Sequence, residues 1–252
     1  MKVEICLPIY NEEKILEKNV NTLINYCLEK NFGFDWKIVI VINGSKDGSL
    51  KISQSLKEKF PALIDYVNFE DPGRGQALKK YWGKSEADIV TYMDIDLAVS
   101  LNHLDDLIWQ IIEDQTDLTI GSRLLPESKI KRSFIRELSS QTYNFLSRVI
   151  LGHNFSDMQC GFKAIRKKSL EKIIEHLQEQ KWFFDTELIL FAKQNGLRIK
   201  ELPVDWSENR YDERKSKVNL LKDSLKFFYN LIRLKGRLIK TKKRKNKIVR
   251  IS

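Results

Sequence analysis

The sequence is poor in cysteine, and the few cysteines it has are widely separated. Cys6, Cys27 and Cys160 show no paired spacing. Disulfide frameworks and structural zinc sites depend on paired or closely spaced cysteines, so the sequence predicts neither of them. The same scarcity favours a reducing, cytoplasmic compartment. The three histidines likewise show no spacing typical of a metal site.

Long apolar runs are also missing. No stretch of about 18 uninterrupted apolar residues occurs, so the sequence predicts no transmembrane helix. A strand-like run begins at Val3 without a basic and then apolar leader, so we expect no signal peptide. What remains is a globular composition of 252 residues, 42% of them hydrophobic, which is enough for one large α/β domain or two small domains.

Acidic residues are absent from one segment. From Arg233 to Arg250 the sequence has ten lysines and arginines and no aspartate or glutamate. These ten residues account for the whole formal net charge of +10, so the rest of the chain is neutral. A neutral body argues against a nucleic-acid-binding domain and assigns the basic character to the carboxy-terminal segment.

Strand-like and helix-like segments alternate through the first half of the chain. β-branched and aromatic runs predict strands, and apolar residues at helical spacing predict the helices between them. This alternation is typical of a mostly parallel sheet with helices on both faces, in which ligands bind at the carboxyl ends of the strands. We expect strands at 3–9, 36–42, 63–69, 88–93 and 118–121, and helices at 14–30, 48–59, 76–84 and 101–114.

The second half of the chain is less regular. Helical spacing predicts one helix at 133–151 and a second at 169–179, and the segment 156–162 between them is expected to be a loop. A further helix begins near Phe184, and a strand follows at 197–204.

Two aspartates stand close together just after the strand that ends at Met93. Alternate residues of a strand point to the same face, so Asp94 and Asp96 project together while Ile95 faces the other way. Two hard oxygen ligands side by side suit Mg²⁺ or Mn²⁺, and such metals commonly also bind substrate phosphates. For this tripeptide alone, an acidic strand end that makes only turn and cap hydrogen bonds is an equally good interpretation.

Nine short motifs follow one another along the chain: Leu7–Glu12, Asn43–Ser49, Gly73–Gly75, Asp94–Asp96, Gly121–Arg123, Asp157–Lys163, Trp182–Leu188, Glu201–Trp206 and Ser216–Val218. In this order they resemble glycosyltransferase family 2, the inverting nucleotide-sugar enzymes with the GT-A fold. The later motifs are most similar to dolichyl-phosphate β-glucosyltransferases and close to dolichyl-phosphate mannose synthases. Each motif alone is a weak signal, whereas the ordered set over residues 3–218 is specific.

The resemblance implies how the donor would be bound. A divalent cation, Mg²⁺ or Mn²⁺, on Asp94 and Asp96 would act as a Lewis acid on the leaving diphosphate. Asn43, beside the base, stands where the family commonly has aspartate. Asparagine keeps a carbonyl acceptor but loses the charge, which leaves the identity of the base open. With the two aspartates, the donor-binding residues implied are Pro8, Tyr10, Glu12, Asn43, Ile95 and Lys217.

An anionic acceptor would need cations rather than a strong base. A polyprenyl phosphate is already charged near pH 7, so its oxygen can attack the anomeric carbon once it is oriented. The resemblance places Arg123, Arg136 and Ser140 where related mannose synthases bind the acceptor phosphate. Arg136 and Ser140 are four residues apart on a predicted helix and therefore share a face.

A sugar hydroxyl as acceptor would instead require a carboxylate base. Asp157 and Asp185 are the candidates, and both are equally well interpreted as partners of backbone amides or of Lys163. The catalytic set implied by the resemblance is Asp94, Asp96, Arg123 and Asp185.

The last predicted helix, at 218–234, carries a wide apolar stripe on a basic helix and leads into a lysine- and arginine-rich segment. Such a combination suits an anionic cytoplasmic membrane surface. Packing of the stripe on the domain, followed by a solubilising tail, is an equally good interpretation. We expect a GT-A catalytic domain over 1–217 and a membrane-contacting helix with a polybasic tail over 218–252, on the cytosolic face of a membrane.

The sequence thus predicts a metal-dependent hexosyltransferase that acts on a polyprenyl or dolichyl phosphate, with UDP-glucose as first donor and GDP-mannose as second. An integral-membrane partner is a further candidate, and no nucleic-acid partner is expected. A sugar-nucleotide-binding protein without catalysis is the alternative from another class, disfavoured because Asp94 and Asp96 are both present. Deletion of 235–252 is expected to reduce membrane recruitment and to leave the chemistry largely intact.

Overall fold

The computed structural model describes residues 1–113, 115–131, 134–208 and 220–249, with the side chains of 134–139, 220–227 and 244–249 left out. The strands are β1 (Lys2–Ile9), β2 (Asp35–Asn43), β3 (Ile64–Phe69), β4 (Ile89–Met93), β5 (Leu118–Ser122), β6 (Lys129–Lys131), β7 (Phe162–Arg166), β8 (Ile199–Pro203) and β9 (Asp205–Ser207). The helices are α1 (Glu13–Lys30), α2 (Ser49–Lys59), α3 (Arg74–Trp82), α4 (Leu104–Ile112), α5 (Phe134–Leu151), α6 (Lys167–Glu171), α7 (Phe184–Gln194) and α8 (Leu220–Val249).

A seven-stranded sheet organises the fold, with the strand order β3-β2-β1-β4-β7-β5-β8. Neighbouring strands are parallel except at β7, which runs antiparallel to both β4 and β5. The mostly parallel α/β sheet predicted from the sequence is therefore confirmed. β1, β4 and β5 are buried along almost their whole length, as expected for strands covered by helices on both faces.

Two hydrophobic cores lie on the two faces of this sheet. Helices α1, α2 and α4 pack on one face, and α3, α7 and α8 pack on the other. Alternate side chains of β2 enter opposite cores, with Ile38, Ile40 and Ile42 in the first and Val39 and Val41 in the second. Because both faces are filled, the loops that meet at the carboxyl ends of the strands are where the fold leaves room for a ligand.

The predicted helix at 169–179 is wrong. The chain instead forms the short helix α6 and then a single 3₁₀ turn at Ile174–His176. Leu170, Ile173 and Leu177 are fully buried at helical spacing. A short helix followed by a 3₁₀ turn therefore gives the same apolar periodicity as one continuous helix. Strand β7, which the sequence did not predict, is buried at four of its five residues. Its sequence, with Lys163, Ala164 and Arg166, lacks the β-branched run that identified the equally buried β4.

A second, two-stranded sheet was also not predicted. β6 pairs with β9 in parallel, and Val99 forms an isolated antiparallel bridge with Trp206. Both strands have three residues, too few for a periodic signal. This small sheet brings Trp206 next to the loop that follows β4.

Helix α8 is longer than predicted, because it continues past Leu234 to Val249 and includes most of the basic segment. Leu231 and Leu234 are buried in the core next to α7, whereas Tyr229 and Ile232 are exposed. The helix therefore packs one face on the domain and presents apolar side chains outward on the other. Within the described ranges, no helix combines the length and the apolarity needed to cross a bilayer.

Candidate functional site

A cavity of about 530 Å³ opens at the carboxyl ends of the central strands. That size suits a small-molecule or cofactor ligand. Its walls include eight residues that the sequence singled out: Pro8, Tyr10, Glu12, Asn43, Asp94, Ile95, Asp96 and Arg123. They come from four separate motifs, which the fold brings together. Other lining residues were not assigned a role from the sequence: Arg74, Gln159, Gly161, Lys181, Trp182 and Trp206.

Two loops at one end of the cavity interlock through side-chain caps. Asp47 accepts hydrogen bonds from the backbone amides of Glu13, at 3.0 Å, and of Ser49, at 3.1 Å, and so holds the first turns of α1 and α2 together. Glu13 in turn accepts a bond from the amide of Gly48, at 2.6 Å. Burial alone would raise the pKa of Asp47, but the hydrogen bonds from Ser49 and Glu13 lower it. These bonds join the start of α1, which follows the loop that carries Tyr10, to the start of α2.

Asn43 joins two segments of the cavity wall. Its Nδ2 donates to the carbonyl of Ile9 at 2.6 Å, and its Oδ1 accepts from the amide of Gly73 at 3.3 Å. An aspartate carboxylate could not donate the first of these bonds. Asparagine at this position therefore has a structural reason that is independent of the nucleotide base.

The Asp94–Asp96 segment is held in place from three directions. Asn19 of α1 donates to the carbonyl of Ile95 at 2.8 Å, and the amide of Ala98 donates to Asp96 Oδ1 at 3.2 Å. On the opposite side, a Cβ at Gly161 would lie 2.2 Å from Asp94 Oδ2, so only glycine allows this approach. Both carboxylates reach the cavity, but not through alternation along the strand. β4 ends at Met93, and the following residues form a turn closed by a hydrogen bond from the amide of Leu97 to the carbonyl of Asp94, at 3.2 Å. Ile95, expected to face the other way, also lines the cavity.

Behind Asp94 lies a buried group of charges. Arg74 donates through Nη1 to Asp94 Oδ1 at 3.1 Å and through Nη2 to Asp185. The second oxygen of Asp185 accepts from Lys163 Nζ at 2.6 Å. The guanidinium of Arg74 also stacks on Trp182, with Cζ 4.3 Å from the ring centroid.

Asp185 is fully buried and does not line the cavity, so it does not occupy the place expected of a group that touches substrate. Burial raises the pKa of Asp185 and lowers that of Lys163, the directions in which a low-dielectric interior drives a carboxyl and an amine. The arrangement points to Asp185 as the residue that holds Arg74. The sequence alone did not show this, although Arg74 lies in the Gly73–Gly75 motif, because the two residues are 111 positions apart.

On the other side of the cavity, Arg123 forms a bidentate pair with Asp157. Arg123 Nε lies 2.6 Å from Asp157 Oδ2, and Nη2 lies 3.0 Å from Oδ1. Burial alone would raise the pKa of Asp157, but the Arg123 guanidinium lowers it to about 2. Such a carboxylate stays ionised and is a poor proton acceptor, so Asp157 serves to orient Arg123.

The remaining predicted residues are not gathered in this cavity. Ser140 lies on α5 and is not among the lining residues. The next residues of that helix line a second cavity of about 460 Å³, together with Leu124 and Ser156. The side chain of Arg136 and the whole of Lys217 lie outside the described residues.

The donor set fits a divalent cation that is shared with a ligand. Among the described side chains, no group of three histidine, cysteine or acidic residues could enclose a metal by itself. Asp94 and Asp96 supply carboxylate oxygens at the cavity wall, and the side chain of Asp94 is 42% exposed. Mg²⁺ and Mn²⁺ accept one or two protein carboxylates when phosphate oxygens and water complete the shell.

Comparison with known proteins agrees with this geometry. Residues 4–174 match the model of the family described as Glycosyl transferase family 2. The chain is 31% identical to glycosyltransferase AglD of Haloferax volcanii, over 89% of this chain and 35% of that protein. It is also 31% identical to dolichyl-phosphate beta-glucosyltransferase ALG5A of Trichomonas vaginalis, over 86% of this chain and 68% of that protein. The chain therefore spans about a third of the first relative and two thirds of the second.

A third relative has nearly the same length. It is the UDP-N-acetylglucosamine–dolichyl-phosphate N-acetylglucosaminyltransferase of Methanococcus voltae, 27% identical over 92% of this chain and 96% of that protein. Among solved structures, glucosyl-3-phosphoglycerate synthase of Mycobacterium tuberculosis, in complex with Mn²⁺, UDP and phosphoglyceric acid, superposes with a TM-score of 0.63. The identity is 16%, over 94% of this chain and 78% of that one, so the likeness establishes the fold alone. The predicted GT-A fold is confirmed.

Proposed function

This chain belongs to glycosyltransferase family 2, and we propose that it transfers a hexose from a nucleotide diphosphate-sugar to a polyprenyl or dolichyl phosphate. The observation that carries the proposal is one cavity whose wall includes both a pair of carboxylates, Asp94 and Asp96, and an oriented cation, Arg123. The first suits a metal-bound diphosphate, and the second suits an anionic acceptor.

The donor occupies the part of the cavity formed by Pro8, Tyr10 and Asn43, with its diphosphate toward Asp94 and Asp96. Mg²⁺ or Mn²⁺ on these two aspartates would supply Lewis-acid stabilisation to the leaving diphosphate. Arg74 donates to Asp94 Oδ1 and so restrains this carboxylate at the cavity wall. UDP-glucose is the first donor, because several relatives are named dolichyl-phosphate beta-glucosyltransferases.

The acceptor phosphate binds to Arg123 and attacks the anomeric carbon with one of its oxygens, on the face opposite the diphosphate. The new bond forms as the bond from the anomeric carbon to the diphosphate oxygen breaks, and its electron pair leaves with the nucleoside diphosphate. The nucleophile carries no proton, so no base is needed. This agrees with Asp157 and Asp185, the two carboxylates considered as bases, which are both fully buried in ion pairs.

N-acetylglucosamine is the second candidate for the transferred sugar. The Methanococcus relative, which is named for a UDP-N-acetylglucosamine donor, matches this chain over 96% of its own length. GDP-mannose, expected as second donor from the sequence, has no comparable support among the relatives described above. Asn43 binds backbone through both ends of its amide, so its presence does not by itself favour one donor.

We place the protein at the cytosolic face of a membrane, held through α8. Phe228, Tyr229 and Ile232 are exposed on this helix, and its second half is rich in lysine and arginine. Apolar side chains beside basic ones bind an anionic lipid surface, at roughly 1 kcal/mol for each basic residue near the surface. An integral-membrane partner and the lipid are both compatible with this face.

The test is a transfer assay with the full chain, dolichyl phosphate and Mn²⁺, supplied separately with UDP-glucose, UDP-N-acetylglucosamine or GDP-mannose. We expect a glycolipid from UDP-glucose, detected by mass spectrometry, and no product with Asp96→Ala. Asn102→Ala, in an exposed turn outside the cavity, is the matched control and should retain activity. Transfer to a free saccharide with no lipid product from any donor would contradict the acceptor assignment, and full activity in Asp96→Ala would remove the metal site.

A further inference from the structure

One wall of the cavity is a loop, residues 177–183, that precedes α7. Its residues Lys181 and Trp182 line the cavity, and Trp182 stacks on Arg74. The loop is joined to the first turn of α3 by a hydrogen bond from the amide of Gln76 to the carbonyl of Gln180, at 3.1 Å. The position of this loop therefore determines how Arg74, and through it Asp94, are placed.

The loop has no room to move toward α3. A Cβ at Gly75 would lie 2.5 Å from the Cβ of Phe184 and 2.8 Å from the carbonyl of Glu179. Two backbones in such close contact transmit a displacement directly, because a packed interior is barely compressible. A shift of the loop would thus reach Arg74.

On its far side the same loop is held by α8. Arg237 pairs with Glu187 and also donates to the carbonyl of His176. The other carboxylate oxygen of Glu187 accepts from the amides of Gln178, at 2.7 Å, and Glu179, at 2.8 Å. One buried carboxylate thus connects the helix to the loop backbone.

A second contact reinforces the first. Asn230 lies on α8 about two turns before Arg237, and it donates to Glu179 Oε2 at 3.2 Å. The other oxygen of Glu179 accepts from the amides of Gln180, at 3.2 Å, and Lys181, at 3.3 Å. Glu187 is only 1% exposed, so it would be left as an unpaired buried charge without Arg237.

We propose that Arg237 is a positioning residue of the site: it holds Glu187, which fixes the 177–183 loop and thereby places Lys181, Trp182 and Arg74 at the cavity. The C-terminal helix is then part of the site's architecture as well as a membrane-facing element. Deletion of 235–252 removes Arg237, so it should impair donor binding as well as membrane recruitment, contrary to what the sequence alone suggested.

The direct test measures the loop and does not depend on the reaction. Full-length wild type, Arg237→Ala, Arg237→Lys and the control Lys235→Ala are treated briefly with trypsin under native conditions. Lys235 is an exposed basic residue of the same helix, so its loss removes an equal charge. The rate of cleavage after Lys181 is measured by mass spectrometry. We expect this rate to be about tenfold higher in Arg237→Ala, intermediate in Arg237→Lys and unchanged in Lys235→Ala.

A second arm measures Mn²⁺-dependent UDP binding by calorimetry and, because it rests on the proposed function, the donor KM in the transfer assay. We expect about tenfold weaker binding in Arg237→Ala, with donor KM raised more than kcat is lowered and partial rescue by Arg237→Lys. If wild type binds no UDP, the UDP-sugar donors of the proposed function are excluded, while the trypsin arm still decides the inference. Equal cleavage after Lys181 in wild type and Arg237→Ala would overturn it. Should Arg237→Ala not fold, Arg237→Lys against Lys235→Ala decides in the same way.

Discussion

Two arginines line the same cavity, and a fully buried aspartate holds each of them, but the two pairs have different geometry. Asp157 binds one edge of Arg123, formed by Nε and Nη2, so the Nη1 amino group is not part of the pair. Arg74 instead uses Nη1 for Asp94 and Nη2 for Asp185. One arginine is thus oriented with donors left for an anion, and the other is used to hold a carboxylate. Among the described side chains, Arg123 thus pairs with one carboxylate and Arg74 with two.

The two buried aspartates also differ in the cations that would remain without a partner if each aspartate were replaced. Asp157 has Arg123 as its cationic partner, and arginine keeps its proton in proteins. Asp185 is shared between Arg74 and Lys163, and a buried lysine can lose its proton. Removal of either aspartate therefore tests the comparison directly.

The largest expected effect is the loss of Asp157. Asp157→Ala leaves the Arg123 guanidinium without its carboxylate partner, and this charge cannot be neutralised. We therefore expect the free energy of unfolding to fall by about 3–5 kcal/mol. Asp185→Ala should cost less, since Arg74 retains Asp94 and Lys163 can become neutral. In that variant the folded-state pKa of Lys163 lies below its unfolded value, so stability should rise with pH between about 7 and 10. Urea denaturation of both variants at about pH 7 and about pH 10 measures these free energies of unfolding. Equal and pH-independent losses in the two variants would contradict the distinction.

A smaller effect is expected when the arginines are replaced by lysine. Lysine keeps the charge but cannot bind through two nitrogens, so Arg123→Lys should raise the KM for the lipid phosphate by about 10- to 100-fold. Arg74→Lys should leave that KM nearly unchanged and raise the Mn²⁺ concentration needed for half-maximal rate by about tenfold. Steady-state kinetics with acceptor and metal varied in turn separate the two. If both substitutions shift the same parameter, the two sides of the cavity are not functionally distinct.

The smallest expected effect is the loss of stability at acidic pH that comes from Asp157. The pKa of Asp157 is lowered to about 2, so its contribution to stability is complete above its unfolded pKa and is lost as pH falls toward 2. Between pH 6 and pH 3 this amounts to about 1 kcal/mol. We expect the difference in unfolding free energy between wild type and Asp157→Asn to shrink by this amount over that range, measured by denaturant unfolding. A constant difference would mean that the Arg123 pair does not lower this pKa.

The cavity residues were predictable where a local pattern carries the geometry. Asp94 and Asp96 follow β4 directly, so the strand pattern placed them at the carboxyl edge of the sheet. Their approach to the same cavity depends on a turn after the strand, which the pattern did not predict. The first five strands and four helices followed from their periodicity and from turn residues between them. β7 was not predicted because its sequence, with Lys163, Ala164 and Arg166, lacks the β-branched run that identified the equally buried β4. Its antiparallel insertion between β4 and β5 depends on pairings distant in sequence.

Arg74 shows the opposite case. Its motif was visible in the sequence, but its partners Asp94 and Asp185 are 20 and 111 residues away. The same is true of Arg237, which the sequence assigned to a basic tail and the fold pairs with Glu187, 50 residues earlier. A run of lysines and arginines has a uniform composition, and nothing local distinguishes Arg237, which meets a buried carboxylate, from its neighbours.

Periodicity and ordered motifs were sufficient for the α/β class, for the placement of a metal-type carboxylate pair at a strand end and for the family, since these depend on near neighbours along the chain. The partner of each charge was settled by folding. The energy of an ion pair depends on distance in space and on exclusion of water, and both arise only when the strands, loops and α8 are packed together. That packing paired Asp157 and Asp185 with arginines, and it joined α8 to the loop beside the cavity.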